Sequence, residues 1–256
     1  MGRARRARDQ RELDRQRQQR MVWIATSGVL LAVVAVAAVL VVRNRTPAVP
    51  GPATPSAADL AAPASLKIAA NKIGFHPEPI PGVGKIEDKS ASDAAPNANP
   101  DLLKPGTPAP PFSLKTPLGD TVSLSDFTGK ALLLEFFATS CPHCQAEAPH
   151  LEALYRSLDR SRYAMASINA DGEGAPSVFA FHRYFGLSYP VMLDIRGTPG
   201  SWHSPQPPGP VTIAYKIDSY PTWYVIAPDG TVSWASTSEQ PTAKLMQELQ
   251  RAAGGG

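Results

Sequence analysis

Two thiols lie close together in the middle of the chain, in the stretch FFATSCPHCQAEAP. Cys141 and Cys144 are its only cysteines, with Pro142 and His143 between them. Proline suits the first turn of a helix, so a helix is predicted to begin near Pro142, with Cys141 at its N-terminus, where free N–H groups and the helix dipole stabilise an anion. We therefore predict that Cys141 attacks as a thiolate. Cys144, one turn deeper on the same face, is predicted to resolve the mixed disulfide.

The Pro142-His143 dipeptide is predicted to tune the potential of this pair. A protonated His143 adds positive charge beside Cys141 and favours its thiolate. A more stable thiolate stabilises the reduced form, so the disulfide should become more oxidising. The alternative is that His143 is only an exposed helix residue.

An acidic side chain, Glu135, interrupts the apolar run ALLLEFF (131–137) six positions before Cys141. Such a near-continuous apolar run predicts a strand that is buried on both faces. Burial raises the pKa of a carboxyl group. Glu135 is therefore predicted to take the proton from Cys144 as that thiol attacks, directly or through a water. Alternatively, strand alternation points Glu135 into a polar pocket or toward the sheet edge.

Strand-like and helix-like segments alternate from residue 105 onwards. Helical periodicity follows the cysteines, and turn residues separate the short apolar runs. This order predicts an α/β fold with a mixed central sheet, flanking helices on both faces and an N-terminal β-hairpin. The predicted strands are 112–114, 122–124, 131–137, 163–169, 189–194, 222–228 and 231–236, and the predicted helices begin near 142, span 175–185 and include Leu245, Met246 and Leu249.

The N-terminal part of the chain predicts a membrane anchor. Residues 1–21 carry eight arginines, and an uncharged run of 21 residues, 22–42, follows. At about 1.5 Å per residue this run spans roughly 31 Å, close to the hydrocarbon core of a bilayer. It is longer than the apolar part of a signal peptide, although a long signal sequence cut near 57–62 is the alternative. The positive-inside rule puts residues 1–21 in the cytoplasm and everything after residue 43 outside, where disulfides persist.

Residues 43–104 are predicted to be a Pro/Ala-rich linker. They hold ten prolines and one aromatic residue, Phe75, which is too little apolar bulk to offset the entropy of ordering. The segment 66–90 is less uniform in composition and could dock on another surface. The globular domain is then predicted to occupy 105–253.

The stretch FFATSCPHC after a buried strand resembles the thioredoxin superfamily. The upstream GTPAPPFSLKTPLGDTVSLSDFTGK resembles the opening hairpin of its membrane-anchored redoxin branch, the TlpA/ResA-like thiol–disulfide oxidoreductases. The likeness extends over roughly 105–252 and implies a thioredoxin-like fold. It implies that Glu135 is the family's buried acid, that Pro149 kinks the helix, and that Pro221 is a cis-proline. The backbone of Tyr220 would then bind a substrate chain as a short strand.

Three features depart from the family pattern. Ser140 stands where the family often has tryptophan before the first cysteine. Tyr220 is larger than the usual residue before the cis-proline, which could alter substrate access. The loop 196–210, with Trp202 and His203, is longer than a minimal member needs.

The resemblance implies an extracytoplasmic enzyme in the inner membrane of a bacterium that exchanges disulfides with protein thiols. No cofactor beyond the redox-active disulfide is expected, and no nucleic acid partner. As a reductase it would need a transmembrane electron donor, and apocytochrome or copper-site proteins would be substrates. The Pro-His dipeptide instead resembles DsbA-like oxidases or isomerases, whose reoxidation would need a quinone-linked partner. The short segment between Cys144 and Pro221 leaves no room for the helical insertion of those oxidases.

Three other readings of the cysteine pair are weaker. Copper-delivery relatives use Cys-x-x-x-Cys and a distant histidine, and neither His182 nor His203 has a recognisable context, so no metal site is predicted. A zinc site would want four ligands. A peroxidase site would need a threonine three residues before its cysteine, whereas Thr139 is two residues before Cys141. A structural disulfide over so short a loop would remove little unfolded-state entropy.

Overall fold

The computed structural model describes residues 61–77, 99–200 and 206–254. A short 3-10 turn, Leu124–Phe127, follows the second strand. The helices are α1 (Ala64–Ile73), α2 (Pro142–Ser157), α3 (Ala175–Phe185), α4 (Pro210–Ala214) and α5 (Thr242–Ala252). The strands are β1 (Ser113–Lys115), β2 (Thr121–Ser123), β3 (Ala131–Phe137), β4 (Tyr163–Asn169), β5 (Val191–Leu193), β6 (Thr222–Ile226) and β7 (Val232–Thr237).

The seven strands form one mixed sheet in the order β2-β1-β5-β4-β3-β6-β7. β3, β4 and β5 run parallel to one another, while β6 and β7 add antiparallel neighbours on one side. β1 and β2 form an antiparallel hairpin that joins the other side through β5. The predicted α/β class, with its mixed sheet and N-terminal hairpin, is confirmed.

Strand β3 lies near the centre of the sheet, and all seven of its residues are buried. Successive strand residues point to opposite faces, so its apolar side chains fill two cores. Leu133 and Phe137 belong to the core that also contains Cys144. The other core takes Leu132, Leu134 and Phe136. Glu135 alternates in step with Leu133 and Phe137, which places this carboxyl on the sheet face that carries the cysteine pair.

Part of the predicted linker is ordered, because residues 64–73 form helix α1, which packs against α3. Ala70 is buried, and Gly74 ends the helix in the left-handed conformation (φ 62°). Phe75 follows and inserts its ring among the aromatic side chains of α3. The ring centroids lie 5.6, 5.6 and 6.2 Å from those of Phe181, Tyr184 and Phe185. These contacts supply the burial that the composition of the segment alone does not suggest.

The predicted basic segment 1–21, the predicted span 22–42 and the loop residues Trp202 and His203 lie outside the described residues. Among the residues that the structure describes, no helix combines the length and apolar character that crossing a membrane requires. The end of the predicted loop 196–210 leads into the short helix α4, which begins at Pro210.

Candidate active site

The cysteine pair lies where β3 passes into α2. Cys141 has an extended backbone (φ −72°, ψ 116°) and occupies the N-cap position, and Pro142 begins the helix. Its sulfur accepts a hydrogen bond from the backbone N–H of Cys144 at 3.3 Å. The sulfur of Cys141 therefore takes the place that an aspartate or serine oxygen commonly takes at a helix start, where an anion is favoured.

The two thiols have different surroundings. Cys141 is partly exposed, whereas Cys144 is fully buried. A hydrogen bond from the Cys144 thiol lowers the pKa of Cys141; burial opposes this, and the N–H groups of Cys144 and His143 add to it. Burial, followed by the same thiol–thiol contact, raises the pKa of Cys144 well above its ordinary value. One sulfur is therefore accessible and readily ionised, and the other is protected and protonated.

Glu135 lies beneath this pair and is 3% exposed. Burial raises the pKa of Glu135 from 4.5 to about 7, although a hydrogen bond from Ser167 acts in the opposite direction. The Ser167 hydroxyl donates to Glu135 Oε2 at 2.5 Å from the neighbouring strand β4. The charge of Glu135 also raises the pKa of both cysteines, although burial and the thiol–thiol contact are larger causes. A carboxyl with such a pKa can gain or lose a proton near neutral pH.

We expect Ser167→Ala to raise the pKa of Glu135 above about 7, because the hydrogen bond that favours its ionised form is lost. One hydrogen bond to a charged group is worth about 1.5 kcal/mol, or about one pH unit. The infrared absorption of the protonated carboxyl, followed against pH, measures the midpoint. Ser161→Ala is the matched control, since the Ser161 hydroxyl donates to the exposed Asp159. An unchanged or lower midpoint would contradict this view of Ser167.

The Tyr220–Pro221 peptide bond is cis and lies beside the cysteines. The Cys141 thiol donates to the Tyr220 carbonyl oxygen, with Sγ and O separated by 3.7 Å. The Tyr220 hydroxyl donates to the carbonyl of Ala170 at 3.1 Å, and the Asp171 carboxylate lies 3.4 Å away. The ring packs against both cores, so the large side chain is anchored on the protein at its far end.

His143 is half-exposed at the first turn of α2. Its Nδ1 lies 2.5 Å from Oε1 of Glu239, in the loop between β7 and α5. The sequence indicated the position of His143 beside Cys141 but not this acidic partner, because 96 positions separate the two residues.

A second buried acid, Glu173, was not identified from the sequence. It is fully buried, and burial raises its pKa. The backbone N–H of Thr139 donates to Glu173 Oε2 at 2.9 Å, and the Thr139 hydroxyl donates to Oε1. The Asn169 amide donates to Oε2 at 2.5 Å, and Gln145 donates to the Thr139 carbonyl at 2.7 Å. These bonds fix the turn that leads to Cys141. The polar sequence NADGE (169–173), which begins with the last residue of β4, is the local signal for them.

Within the described residues, no three His, Cys, Asp or Glu side chains are grouped as a metal site would require. His182, considered above as a distant ligand, lies buried in α3 with Nε2 3.3 Å from the Tyr189 carbonyl. Burial lowers the pKa of His182, which favours a neutral core histidine.

Comparisons with known proteins agree with this geometry. The family profile described as AhpC/TSA family matches residues 105–235. The thioredoxin-like protein YneN of Bacillus subtilis is 28% identical over 148 residues, which cover 57% of this chain and 79% of the relative. The thiol–disulfide oxidoreductase ResA of the same organism is 29% identical over 135 residues, covering 53% and 68%.

A solved structure shows the same fold. The crystal structure of a thioredoxin-like superfamily protein superposes with a TM-score of 0.51 at 18% identity, covering 58% of this chain and 97% of that one. At this identity the likeness concerns the fold alone. The arrangement of strands and helices is therefore that of a thioredoxin-like fold.

Proposed function

Because the chain belongs to the AhpC/TSA family and is a thiol–disulfide oxidoreductase, we propose that it reduces disulfides of proteins outside the cytoplasm through Cys141 and Cys144. The observation that carries the proposal is the asymmetry of the pair. Cys141 is accessible with a lowered pKa, whereas Cys144 is buried with a raised one. This asymmetry supports Cys141 as the attacking thiol and Cys144 as the resolving thiol.

In the first step the Cys141 thiolate attacks one sulfur of a substrate disulfide. A mixed disulfide forms between Cys141 and the substrate, and the other substrate sulfur leaves as a thiolate that takes up a proton. The N–H groups at the start of α2 stabilise the attacking thiolate. The burial of Cys144 in the core supports this role for Cys141.

In the second step Cys144 must lose its proton and attack Sγ of Cys141. Glu135 in its ionised form is the proposed proton acceptor, and its pKa of about 7 suits it to that transfer at neutral pH. The new bond joins Cys141 to Cys144, and the second substrate sulfur leaves as a thiolate. Two electrons have then passed to the substrate, the pair is oxidised, and Glu135 holds the proton.

Tyr220 and Pro221 frame the proposed substrate groove. The Tyr220 carbonyl lies beside the Cys141 sulfur, so an extended peptide bonded to this backbone would bring its own sulfur into reach of Cys141. The Tyr220 ring is packed against the protein, which leaves the backbone as the part available to a substrate.

Outside the cytoplasm the oxidised pair would need a source of electrons. The proposal therefore includes the predicted anchor 22–42 in the inner membrane of a bacterium and a dithiol donor that crosses that membrane. Apocytochrome and copper-site proteins are the proposed classes of substrate, since both present cysteines that must be reduced before they bind their group.

A specific observation favours a second candidate, a DsbA-like oxidase. The lowered pKa of Cys141 stabilises the reduced form and makes the disulfide more oxidising. The pair would then accept electrons from substrate thiols and pass them to a quinone-linked partner.

Trapping the redox state of the pair in living cells decides between the two directions. Cells that make the full chain are quenched in acid, and free thiols are labelled with a reagent that adds mass. A reductase is expected to be mainly reduced, whereas an oxidase would be mainly oxidised. The Cys141→Ser/Cys144→Ser double variant gives the unlabelled reference. A mainly oxidised wild-type pair would contradict the reductase proposal.

A further inference from the structure

An ion pair joins the cysteine motif to the loop between β7 and α5. His143 Nδ1 and Glu239 Oε1 are 2.5 Å apart. The His143 side chain is 52% exposed and that of Glu239 only 12%. Glu239 is therefore the more buried member of the pair, and it contacts His143, which lies between the two cysteines in the sequence.

The backbone on both sides of Glu239 is held in place. The N–H of Ser238 donates to the Pro221 carbonyl at 2.9 Å, and the Trp223 indole donates to the Ser238 carbonyl at 3.0 Å. The N–H of Gln240 donates to Glu147 Oε1 at 2.8 Å. The position of Glu239 is thus fixed relative to both the cis-proline and α2.

The loop also carries backbone strain. Ser238 has φ 67°, in the left-handed region that side-chain-bearing residues rarely adopt. Such strain persists only where the surrounding structure imposes it, and it is concentrated at functional sites. Here it lies directly before Glu239, beside the bonds to Pro221 and Trp223.

We propose that Glu239 is a positioning residue that offsets the charge of His143 and so makes the Cys141–Cys144 disulfide less oxidising. The inference rests on the proposed roles of the two cysteines. It identifies the partner that limits the effect of His143 on the Cys141 thiolate.

The direction in which Glu239 shifts the redox equilibrium of the cysteine pair follows from charge alone. The His143–Glu239 pair is neutral when the imidazole is protonated and carries one negative charge when it is not. With glutamine at position 239, the same two side chains carry one positive charge or none. At any protonation of His143, the surroundings of Cys141 are therefore at least as positive in the variant. Two other acids, Glu135, whose charge acts on Cys141, and Glu147, which accepts from the N–H of Gln240, are common to both proteins.

A positive surrounding favours the thiolate and hence the reduced dithiol. Glu239→Gln is therefore expected to shift the equilibrium with reduced and oxidised glutathione toward the reduced pair. The expected change is about tenfold, which corresponds to about 30 mV for this two-electron couple. The equilibrium is read by acid quenching and thiol labelling of purified protein across a series of glutathione ratios.

Two variants serve as controls. Asp120→Asn removes one exposed negative charge in the β1–β2 turn, at the other edge of the sheet, and should leave the equilibrium unchanged. In a His143→Asn background, the imidazole charge that Glu239 offsets is absent, so adding Glu239→Gln should produce a much smaller shift.

A shift of less than twofold in Glu239→Gln, a shift toward the oxidised pair, or an equal shift without His143 would overturn the inference. In each of these cases the wild-type pair still equilibrates with glutathione, so the proposed function stands. A wild-type pair that forms no reversible disulfide would overturn the proposed function and this inference with it.

Discussion

The Cys144→Ser variant is expected to accumulate as mixed disulfides between Cys141 and its substrate proteins. Cys141 keeps its position at the start of α2 and can still attack, but no second sulfur is present to release the substrate. A neighbouring group held in place acts at an effective concentration of about 10⁵ M or more, so its loss should slow release at least about a thousandfold. Non-reducing gels and mass spectrometry of acid-quenched cells measure the trapped species.

Cys141→Ser is the matched control, because it also removes one sulfur yet should trap nothing. The buried Cys144 has a raised pKa and no access to a folded partner. Trapping by Cys141→Ser but not by Cys144→Ser would reverse the roles assigned to the two thiols.

The Glu135→Gln variant is expected to lose the pH dependence of stability that Glu135 imposes on the wild type. The folded-state pKa of about 7 lies above the ordinary value of 4.5, so the folded protein holds this proton more tightly than the unfolded chain. The neutral carboxyl is therefore favourable at low pH, and stability falls as the pH rises from about 4.5 through 7. The difference corresponds to about 3 kcal/mol in the free energy of unfolding.

Urea unfolding of the reduced proteins at pH 4.5 and pH 8 tests this expectation. Glu173 and Asp171 also have raised pKa values, but they act alike in both proteins, so the difference between wild type and variant reports Glu135 together with its effect on the two thiols. Glu135→Leu removes the same charge without a hydrogen-bonding group and should show the same reduced pH dependence. Parallel stability changes in wild type and both variants would show that Glu135 does not titrate in this range.

The sequence predicted what local patterns determine. ALLLEFF is apolar throughout and forms the buried strand β3, with its one acid on the face of the cysteine pair. Proline at the first position of α2 indicated where the helix begins, and hence where Cys141 lies. In both cases the residues that decide the structure are neighbours along the chain, so their spacing alone was sufficient.

The features that the sequence did not predict depend on contacts between segments that are distant along the chain. Glu173 reaches Thr139 across 34 positions, and Glu239 reaches His143 across 96. No spacing rule connects such residues before the chain folds. Helix α1 also depends on a distant segment. Its ten residues would form only a marginally stable helix alone in water, and packing on α3 stabilises them.

The docking of α1 has a practical consequence for anyone who shortens the protein. The family match begins at residue 105, which invites a cut there. Such a cut would remove Phe75 and uncover the rings of Phe181, Tyr184 and Phe185. Contiguous aromatic surface of this kind promotes aggregation. A shortened protein that retains residues 61–77 keeps this cover and is the better starting point for recombinant work.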